Sequence, residues 1–359
     1  MPHDILLPCD DIMFSIFARL LIKCLLRFQS VSKLWKATIC DRNFIKNYCD
    51  YSKAVGRQKL LLRQEYSCDF VFRDPELITM DDPNQFLPPK RFHYSKISCS
   101  CDGLFLLKNR KAYKTYLLCN PSTREYRILE CPYVKCRDDP PNACGMCYDS
   151  RIDDYMIILI FKSFYVVYSL SKHSWTRKTS PPHLVQPYCI DRYCAKGIST
   201  QDGIFWSMNN IIDLRVVTTS TIIYFDVTSD EVKKISLPNF IGEEDMFYLT
   251  TLKGCLSLYG GKGGDQLQVW IMEQDGWKWL LNICNLPIHC HVFVQLTELL
   301  HLTKNGEFLI RGCMSLVSMY YPKQQQFVRV LEDFFSLASI CLDTLYFFKH
   351  TLKRKRNHP

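Results

Sequence analysis

Four cysteines in one proline-rich stretch come closest to the ligand spacing of a metal site. Cys131, Cys136, Cys144 and Cys147 follow one another as C-x4-C-x7-C-x2-C. Closely spaced thiolates are common ligands of a tetrahedral zinc ion, so a structural zinc site is one interpretation of this stretch. A thiol in an apolar run also packs as a small hydrophobic group. We favour the second interpretation and predict no metal.

Two further motifs contain residue types that bind ligands, but their local sequence argues against such a role. The run Gly260-Gly261-Lys262-Gly263-Gly264 has no Ser or Thr after its lysine, so a flexible hairpin tip is a better interpretation than a phosphate-binding loop. His289, Cys290 and His291 are adjacent and cannot all face one ion from a strand. We predict no cofactor and no catalytic residue.

Composition limits the class of protein. The chain has 359 residues, 47% of them apolar, and it has no run of eighteen apolar residues. Acidic residues occupy the N-terminal region where a signal peptide would be basic, so neither a membrane partner nor secretion is expected. We expect a cytoplasmic or nuclear protein, or one found in both compartments, whose 19 cysteines stay reduced.

The net charge of +9 comes from the two ends of the chain. Residues 1–59 hold ten basic and five acidic side chains, and residues 349–359 hold five basic and none acidic. The rest is nearly neutral, which argues against a nucleic-acid partner. The tail contains Lys353-Arg354-Lys355-Arg356, which is either a nuclear import signal or, as we favour, a solvated terminus.

A repeat of about fifty residues organises the chain after residue 60. Short β-branched and aromatic runs are separated there by turn residues, which is typical of strands. One turn followed by an apolar strand recurs at Gly103, Asp154, Gly203, Gly254 and Gly306, with spacings of 51, 49, 51 and 52 residues. A second pair of strands follows each turn, and four strands per repeat predict a kelch-like β-propeller.

Five blades are complete in this pattern, and the remaining strands predict a sixth. Residues 60–62 and 70–72 are interpreted as its last two strands, and residues 340–342 and 345–348 as its first two. Pairing the two ends would close the ring and leave no free sheet edge. We therefore predict six blades, with a seven-bladed ring or an irregular β-sandwich as alternatives.

The first forty residues show helical periodicity instead. Ile12, Ile16 and Leu20 recur at i, i+4 and i+8 after two aspartates that suit a helix start. Ser32 is a suitable N-cap for a third short helix that carries Trp35. Three helices of this size cannot bury all their apolar side chains among themselves. An apolar face is therefore expected to pack on the rest of the chain or to bind another protein.

This stretch resembles the F-box, whose pattern is Leu-Pro-x-Asp, Arg-Leu, then Leu-x-Arg-Phe-x-x-Val-Ser-Lys-x-Trp and a closing Ile. The matching residues are Leu7, Pro8, Asp10, Ile12, Ile16, Arg19, Leu20, Lys23, Leu25, Arg27, Phe28, Val31, Ser32, Lys33, Trp35 and Ile39. Two positions differ: Leu21 replaces the usual Pro, and Cys24 replaces the usual Ser or Asp. Losing the Pro loosens the turn geometry but keeps the apolar face.

The remaining chain resembles the F-box-associated domain of the large plant F-box family, including its S-locus-like members. Matching segments include Cys101-Asp102-Gly103-Leu104, Asn120-Pro121-Ser122-Thr123-Arg124-Glu125 and Val269-Trp270-Ile271-Met272. The predicted fold is mainly β: a small all-α F-box module followed by a β-propeller. The predicted boundaries are 1–48 for the F-box, 49–59 for a linker, 60–348 for the propeller and 349–359 for a basic tail.

The resemblance implies that the chain is the substrate receptor of an SCF-type ubiquitin ligase, which marks proteins for proteasomal degradation. The F-box would bind a Skp-family adaptor, and through it a cullin and a RING subunit. The residues expected to face or support the adaptor are Leu7, Pro8, Ile12, Ile16, Leu20, Leu25, Val31 and Trp35, whereas Phe28 and Ile39 are expected to pack internally. A zinc-bearing ligase finger is excluded because its eight Cys/His ligands would be clustered, so the chain is not expected to be an enzyme.

An unknown protein substrate is expected to bind loops at one end of the propeller, because the strand residues are used in core packing. The candidate loops are 131–147, 181–194, 242–246, 260–265 and 287–291. The alternative is a non-degradative scaffold that uses the F-box only to bind the adaptor. A propeller enzyme would need titratable residues recurring at one blade position, and the sequence has no such recurrence.

Overall fold

The N-terminal module is helical. The computed structural model describes residues 9–64, 68–76, 85–109, 111–134, 141–179, 194–201, 203–213, 216–235, 237–238, 241–242, 246–261, 266–274, 276–286, 297–312, 316–331 and 335–346. The four helices of the N-terminal module are α1 (Cys9–Arg19), α2 (Ile22–Phe28), α3 (Lys33–Ile39) and α4 (Arg42–Ala54). In the described part of the chain, no helix is long and apolar enough to cross a membrane.

Helices α3 and α4 both begin at side-chain caps. The Ser32 hydroxyl oxygen accepts a hydrogen bond from the Trp35 amide at 3.1 Å, which confirms the predicted cap. An Asp41 carboxylate oxygen accepts from the Asn43 and Phe44 amides at 2.9 and 3.0 Å. These bonds satisfy amides that have no partner within the helix.

Helix α4 was not predicted from the sequence. It continues through residues 49–54, the first part of the stretch interpreted as a linker, and only residues 55–57 separate it from the first strand. Apart from its cap at Asp41, the helix is fixed by one buried face, formed by Phe44, Tyr48, Cys49 and Ser52. This spacing of i, i+4, i+5 and i+8 is a helical signal that the sequence already contained.

Replacing Asp41 with alanine is expected to destabilise the first turn of α4 by about 1 kcal/mol, because two amides lose their acceptor. Hydrogen exchange of a peptide covering residues 42–45 measures the effect as faster exchange. Asp50→Ala is the matched control, since Asp50 is exposed on the same helix and far from the cap. Unchanged protection in Asp41→Ala would contradict the capping role.

The described strands after residue 57 form six sheets. The first blade in chain order consists of β4 (Lys96–Cys101), β5 (Leu104–Lys108), β6 (Thr115–Asn120) and β7 (Glu125–Glu130), and the second of β8 (Ala143–Asp149), β9 (Asp154–Ile160), β10 (Phe164–Ser169), β11 (Ser174–Thr179) and β12 (Ala195–Lys196). The third consists of β13 (Ile198–Ser199), β14 (Gly203–Asp213), β15 (Val216–Asp226) and β16 (Glu231–Ile235), and the fourth of β17 (Met246–Leu252), β18 (Cys255–Gly261), β19 (Leu267–Glu273) and β20 (Gly276–Ile283). The fifth consists of β21 (Glu298–Leu302), β22 (Phe308–Arg311), β23 (Val317–Tyr321) and β24 (Gln326–Arg329). The strands of each blade pair antiparallel, except that β12 adds parallel to β8.

The sixth blade closes the ring and confirms the predicted blade number. It consists of β25 (Phe335–Leu342), β1 (Gln58–Gln64), β2 (Phe70–Arg73) and β3 (Gln85–Phe86), in that order. The predicted division into two C-terminal and two N-terminal strands is wrong, because the blade has one C-terminal strand, which pairs with β1, and three N-terminal ones. Leu345 was assigned to a strand, but its side chain is buried among the helices.

The predicted turns join the first two strands of their blades. At the β4–β5 turn, Asp102 and Gly103 have φ values of 47° and 78°, and at the β17–β18 turn, Lys253 and Gly254 have values of 51° and 80°. Two successive positive φ values are the signature of a tight two-residue hairpin, and the second position favours glycine. The recurrence of such turns is why the repeat could be recognised in the sequence.

Candidate functional site

Exposed apolar side chains are concentrated on the helical module. Of the twelve large hydrophobic side chains that are exposed in the described part of the chain, five lie between residues 12 and 34. This exposed apolar set consists of Ile12 (60% exposed), Ile16 (53%), Leu21 (58%), Val31 (64%) and Leu34 (69%). Covering the exposed part of each of these side chains would contribute on the order of 1 kcal/mol to the free energy of binding. Together, the five side chains could hold a protein partner.

Ile12 and Ile16 are exposed because α1 is apolar on two sides. Met13, Phe14 and Phe17 pack inward against the other helices, whereas Ile12 and Ile16 lie on the opposite side. A helix that is apolar all round is normally buried all round. The outward side of α1 therefore has the character of a surface that another chain covers.

The predicted site residues occupy different positions. Ile12, Ile16 and Val31 belong to the exposed apolar set, while Leu7 and Pro8 lie outside the described residues. Leu20 and Trp35 are partly buried against the helical core, and Leu25 is fully buried in it.

Trp35 supports the module from inside. Its ring lies 5.5 Å from that of Phe17 and 5.2 Å from that of Phe28, measured between centroids. Ile39 is fully buried in the same core. Trp35 and Leu25 therefore stabilise the helices that carry the exposed set.

Leu21 and Leu34 are exposed positions that the sequence reasoning did not select. From the sequence, Leu21 widens the apolar stripe of the first helix and departs from the expected Pro, but neither it nor Leu34 is among the residues predicted to face the adaptor. Leu34 lies in the first turn of α3, directly after the cap at Ser32, and no periodic signal in the sequence marks it as exposed.

The end of α1 is held by two polar side chains from farther along the module. The Tyr48 hydroxyl donates to the Leu20 carbonyl at 3.0 Å, and the Arg57 guanidinium donates to the Ala18 and Leu20 carbonyls at 2.7 and 3.2 Å. A cation is favourable at a helix C-terminus, where carbonyls lack partners. Burial raises the pKa of Tyr48 to about 12, so this donor keeps its proton at neutral pH.

The described cysteines of the cysteine-rich stretch, Cys131, Cys144 and Cys147, are not arranged to share one metal ion. Cys144 and Cys147 belong to different apolar clusters, Cys144 with Cys131 and Cys147 with Trp206. Strand residues three apart face opposite sides of a sheet, so these two thiols cannot share one ion. Burial raises the pKa of Cys147 to about 12. Cys136 lies outside the described residues, within which no group of three His, Cys, Asp or Glu residues could hold a metal.

The five candidate loops connect strands at one end of the propeller. Helix α4 contacts the turn at Asp102 through Lys53 and the turn at Asp153 through Arg42, which defines the helix-facing end. The loops join β7 to β8, β11 to β12, β16 to β17, β18 to β19 and β20 to β21, and the prediction for 131–147 is wrong in part, because residues 143–147 belong to strand β8. Because neighbouring strands alternate in direction, all five connections fall at the other, distal end. Large parts of these loops, including residues 287–291, lie outside the described residues.

Two family models match the chain. The F-box domain model matches residues 9–47, and the F-box associated beta propeller domain model matches residues 70–334. These matches fall within the modules predicted at 1–48 and 60–348.

Several curated proteins of Arabidopsis thaliana are similar along most of the chain. F-box protein At1g53790 is 25% identical over 326 residues, which cover 86% of this chain and 72% of that protein. F-box/kelch-repeat protein At3g23880 is 25% identical over 79% of this chain and 81% of its own length. F-box protein At5g49610 is 22% identical over 96% of this chain and 95% of its own length.

Proposed function

The chain belongs to the F-box proteins that carry an F-box-associated β-propeller domain, and from that premise we propose that it is the substrate receptor of an SCF-type cullin-RING ubiquitin ligase. An F-box domain implies binding to a Skp-family adaptor, and F-box proteins with a propeller have a substrate-adaptor role in general. In the proposed complex the adaptor links the chain to a cullin and a RING subunit, and the distal loops bind the protein to be ubiquitinated.

The exposed apolar set is the observation that carries the proposal. Ile12, Ile16, Leu21, Val31 and Leu34 are more than half exposed on a module of only four helices. Apolar groups on a small helical surface form a groove-and-ridge interface with an α-helical partner. The adaptor is the partner that the F-box match implies.

The receptor supplies proximity. Its relatives are named as F-box proteins, which indicates a non-catalytic role. Holding a target lysine beside the ubiquitin thioester turns a bimolecular encounter into a nearly intramolecular one and raises the effective concentration of the lysine. Binding the adaptor and binding the target do not require this chain to make or break a covalent bond.

The test is co-purification of the tagged chain with a Skp-family adaptor and a cullin, followed by ubiquitin transfer in the reconstituted complex. We expect recovery of both proteins, ubiquitination of captured targets, and loss of all three when residues 1–45 are deleted. Recovery of the adaptor without cullin would support the non-degradative scaffold instead. Failure to recover the adaptor would contradict the proposal.

A further inference from the structure

Leu345, near the C-terminal end of the described chain, completes the core of the helical module. Its side chain is fully buried in one cluster with Phe17, Leu25, Ile39 and Tyr48. Every other buried member of this cluster lies between residues 17 and 48. The helical module therefore has a core residue that comes from beyond the last propeller strand.

The neighbours of Leu345 are bound to the propeller. We call residues 343–346 the strap. The Thr344 hydroxyl donates to the Asp102 carbonyl at 2.7 Å, and the Asn120 side-chain amide donates to the carbonyls of Thr344 and Tyr346 at 3.0 and 3.1 Å. Asn120 is fully buried, so these bonds are protected from water.

The start of the strap is held by charge as well. The Asp343 carboxylate accepts from the Ser122 hydroxyl at 2.7 Å and lies 3.1 Å from the Lys59 ammonium. Its backbone amide donates to the Arg57 carbonyl at 3.1 Å. Arg57 is the residue whose guanidinium holds the end of α1, so the strap also meets the connection between α4 and β1.

The strap crosses the β4–β5 turn too closely for any side chain at Gly103. A Cβ atom there would lie 2.4 Å from the Thr344 hydroxyl oxygen and 2.5 Å from the Leu342 carbonyl oxygen. The same turn receives α4 directly, because the Lys53 ammonium is 2.8 Å from the Asp102 carboxylate. Helix and strap therefore meet the propeller at one shared turn.

A separate contact lies at the next blade. The Arg42 guanidinium is 2.5 Å from the Asp153 carboxylate in the β8–β9 turn and also donates to the Asp153 carbonyl. Together with the short α4–β1 connection and the strap, this pair gives three attachments at different places. Domains joined by a small interface normally move relative to each other. The Arg42–Asp153 pair is exposed and contributes little, so the buried strap is the attachment that restricts this motion.

We propose that the strap fixes the orientation of the helical module on the propeller, with Leu345 as its positioning residue. The consequence for ubiquitin transfer rests on the proposed function, because orientation matters only if the module carries the adaptor and the propeller carries the target. A fixed orientation limits which target lysines reach the thioester. The strap thereby makes the receptor selective among lysines without touching the target.

The orientation is tested on the full chain by single-molecule energy transfer. Dyes are attached through unnatural amino acids at Lys46 on α4 and Lys323 in a propeller turn, both of which are exposed. The unsubstituted chain is expected to give one narrow distance distribution. Leu345→Ala is expected to broaden it about twofold, since the strap then loses its hold on the helices.

Gly103→Ala and Leu309→Ala separate positioning from loss of folding. Gly103→Ala displaces the strap from the propeller side without touching the helical core, and it should broaden the distribution as well. Leu309→Ala removes an equally buried leucine from the propeller and should leave the distribution narrow. A narrow distribution in both strap variants would overturn the proposal.

Adaptor binding is measured on the same samples. It separates the claim that the strap fixes the orientation of the module from the claim that the chain is a ligase receptor. We expect Gly103→Ala to bind the adaptor within about twofold of the unsubstituted chain, because the exposed apolar set and the helical core are both unchanged. Leu345→Ala also removes a core side chain of the helical module, so its affinity is compared with that of Gly103→Ala under conditions in which both variants are folded. In the reconstituted ligase, they should spread autoubiquitination over more lysines than Leu309→Ala does. If the unsubstituted chain binds no adaptor, the receptor function fails, while the distance distributions still decide whether the strap sets the orientation.

Discussion

Replacing Val31 and Leu34 together with aspartate is expected to weaken binding of a Skp-family adaptor by at least about 100-fold while the chain stays folded. Both side chains are exposed, at 64% and 69%, and neither belongs to the helical core. A carboxylate buried against an apolar partner loses its water and gains no hydrogen bond, which costs at least the ~1–3 kcal/mol of an unpaired neutral polar group. Two such groups account for the expected loss of affinity.

Isothermal titration calorimetry with the purified adaptor measures this effect, and circular dichroism checks the fold. The matched control is Leu87→Asp with Val328→Asp, which places the same charges at exposed apolar positions of the propeller. The control should bind the adaptor like the unsubstituted chain. If the two double variants bound the adaptor with equal affinity, the exposed apolar set would not be the adaptor-binding surface. The proposed receptor function would then lose the observation that supports it.

The six-bladed architecture could be predicted because its signals are local. The turns near Gly103 and Gly254 need two residues with positive φ, and only a few residue types tolerate that conformation. The strands that follow the turns range from 4 to 11 residues, but the total length of each repeat varies little, so the turns recur at a regular spacing. The cap at Ser32 was predictable for the same reason, since its partner is the amide of Trp35 three residues away.

The division of strands in the closing blade and the strap could not be derived in this way. Strand β25 pairs with β1 across almost the whole sequence, and the register of that pair depends on tertiary contacts. Residues 345–348 have the composition of a strand, yet Leu345 packs against helices because the chain passes under them as it leaves β25. Sequence composition alone does not distinguish these two environments.

The orientation of the helical side chains was the least predictable feature of the site. Leu25 and Leu34 are the same residue type on neighbouring helices, but one is fully buried and the other is 69% exposed. Their difference depends on how α2 and α3 pack on α4, a helix absent from the sequence-based prediction. A pattern match therefore identifies the module more reliably than it separates its contact residues from its core.

Replacing Trp206 with alanine is expected to lower the free energy of unfolding by about 3–5 kcal/mol, because it removes a large, fully buried side chain. The indole N–H donates to the Cys144 carbonyl at 3.0 Å, so the substitution also removes one of that carbonyl's two donors, and the Gly197 amide at 2.7 Å remains. A Cβ atom on Gly145 or Gly197 would lie 2.7 Å from the indole, which shows that neighbouring backbone closes tightly around it. Such a site cannot collapse to fill the cavity.

Urea unfolding followed by far-ultraviolet circular dichroism gives this value without relying on tryptophan emission. Trp279→Ala is the matched control, since Trp279 is 58% exposed on the outer strand β20, and its loss should change stability by no more than about 0.5 kcal/mol. Equal losses in the two variants would show that blade packing around Trp206 does not stabilise the ring. Because Trp206 lies between two blades and outside the helical core, the folded fraction of Trp206→Ala should still bind the adaptor.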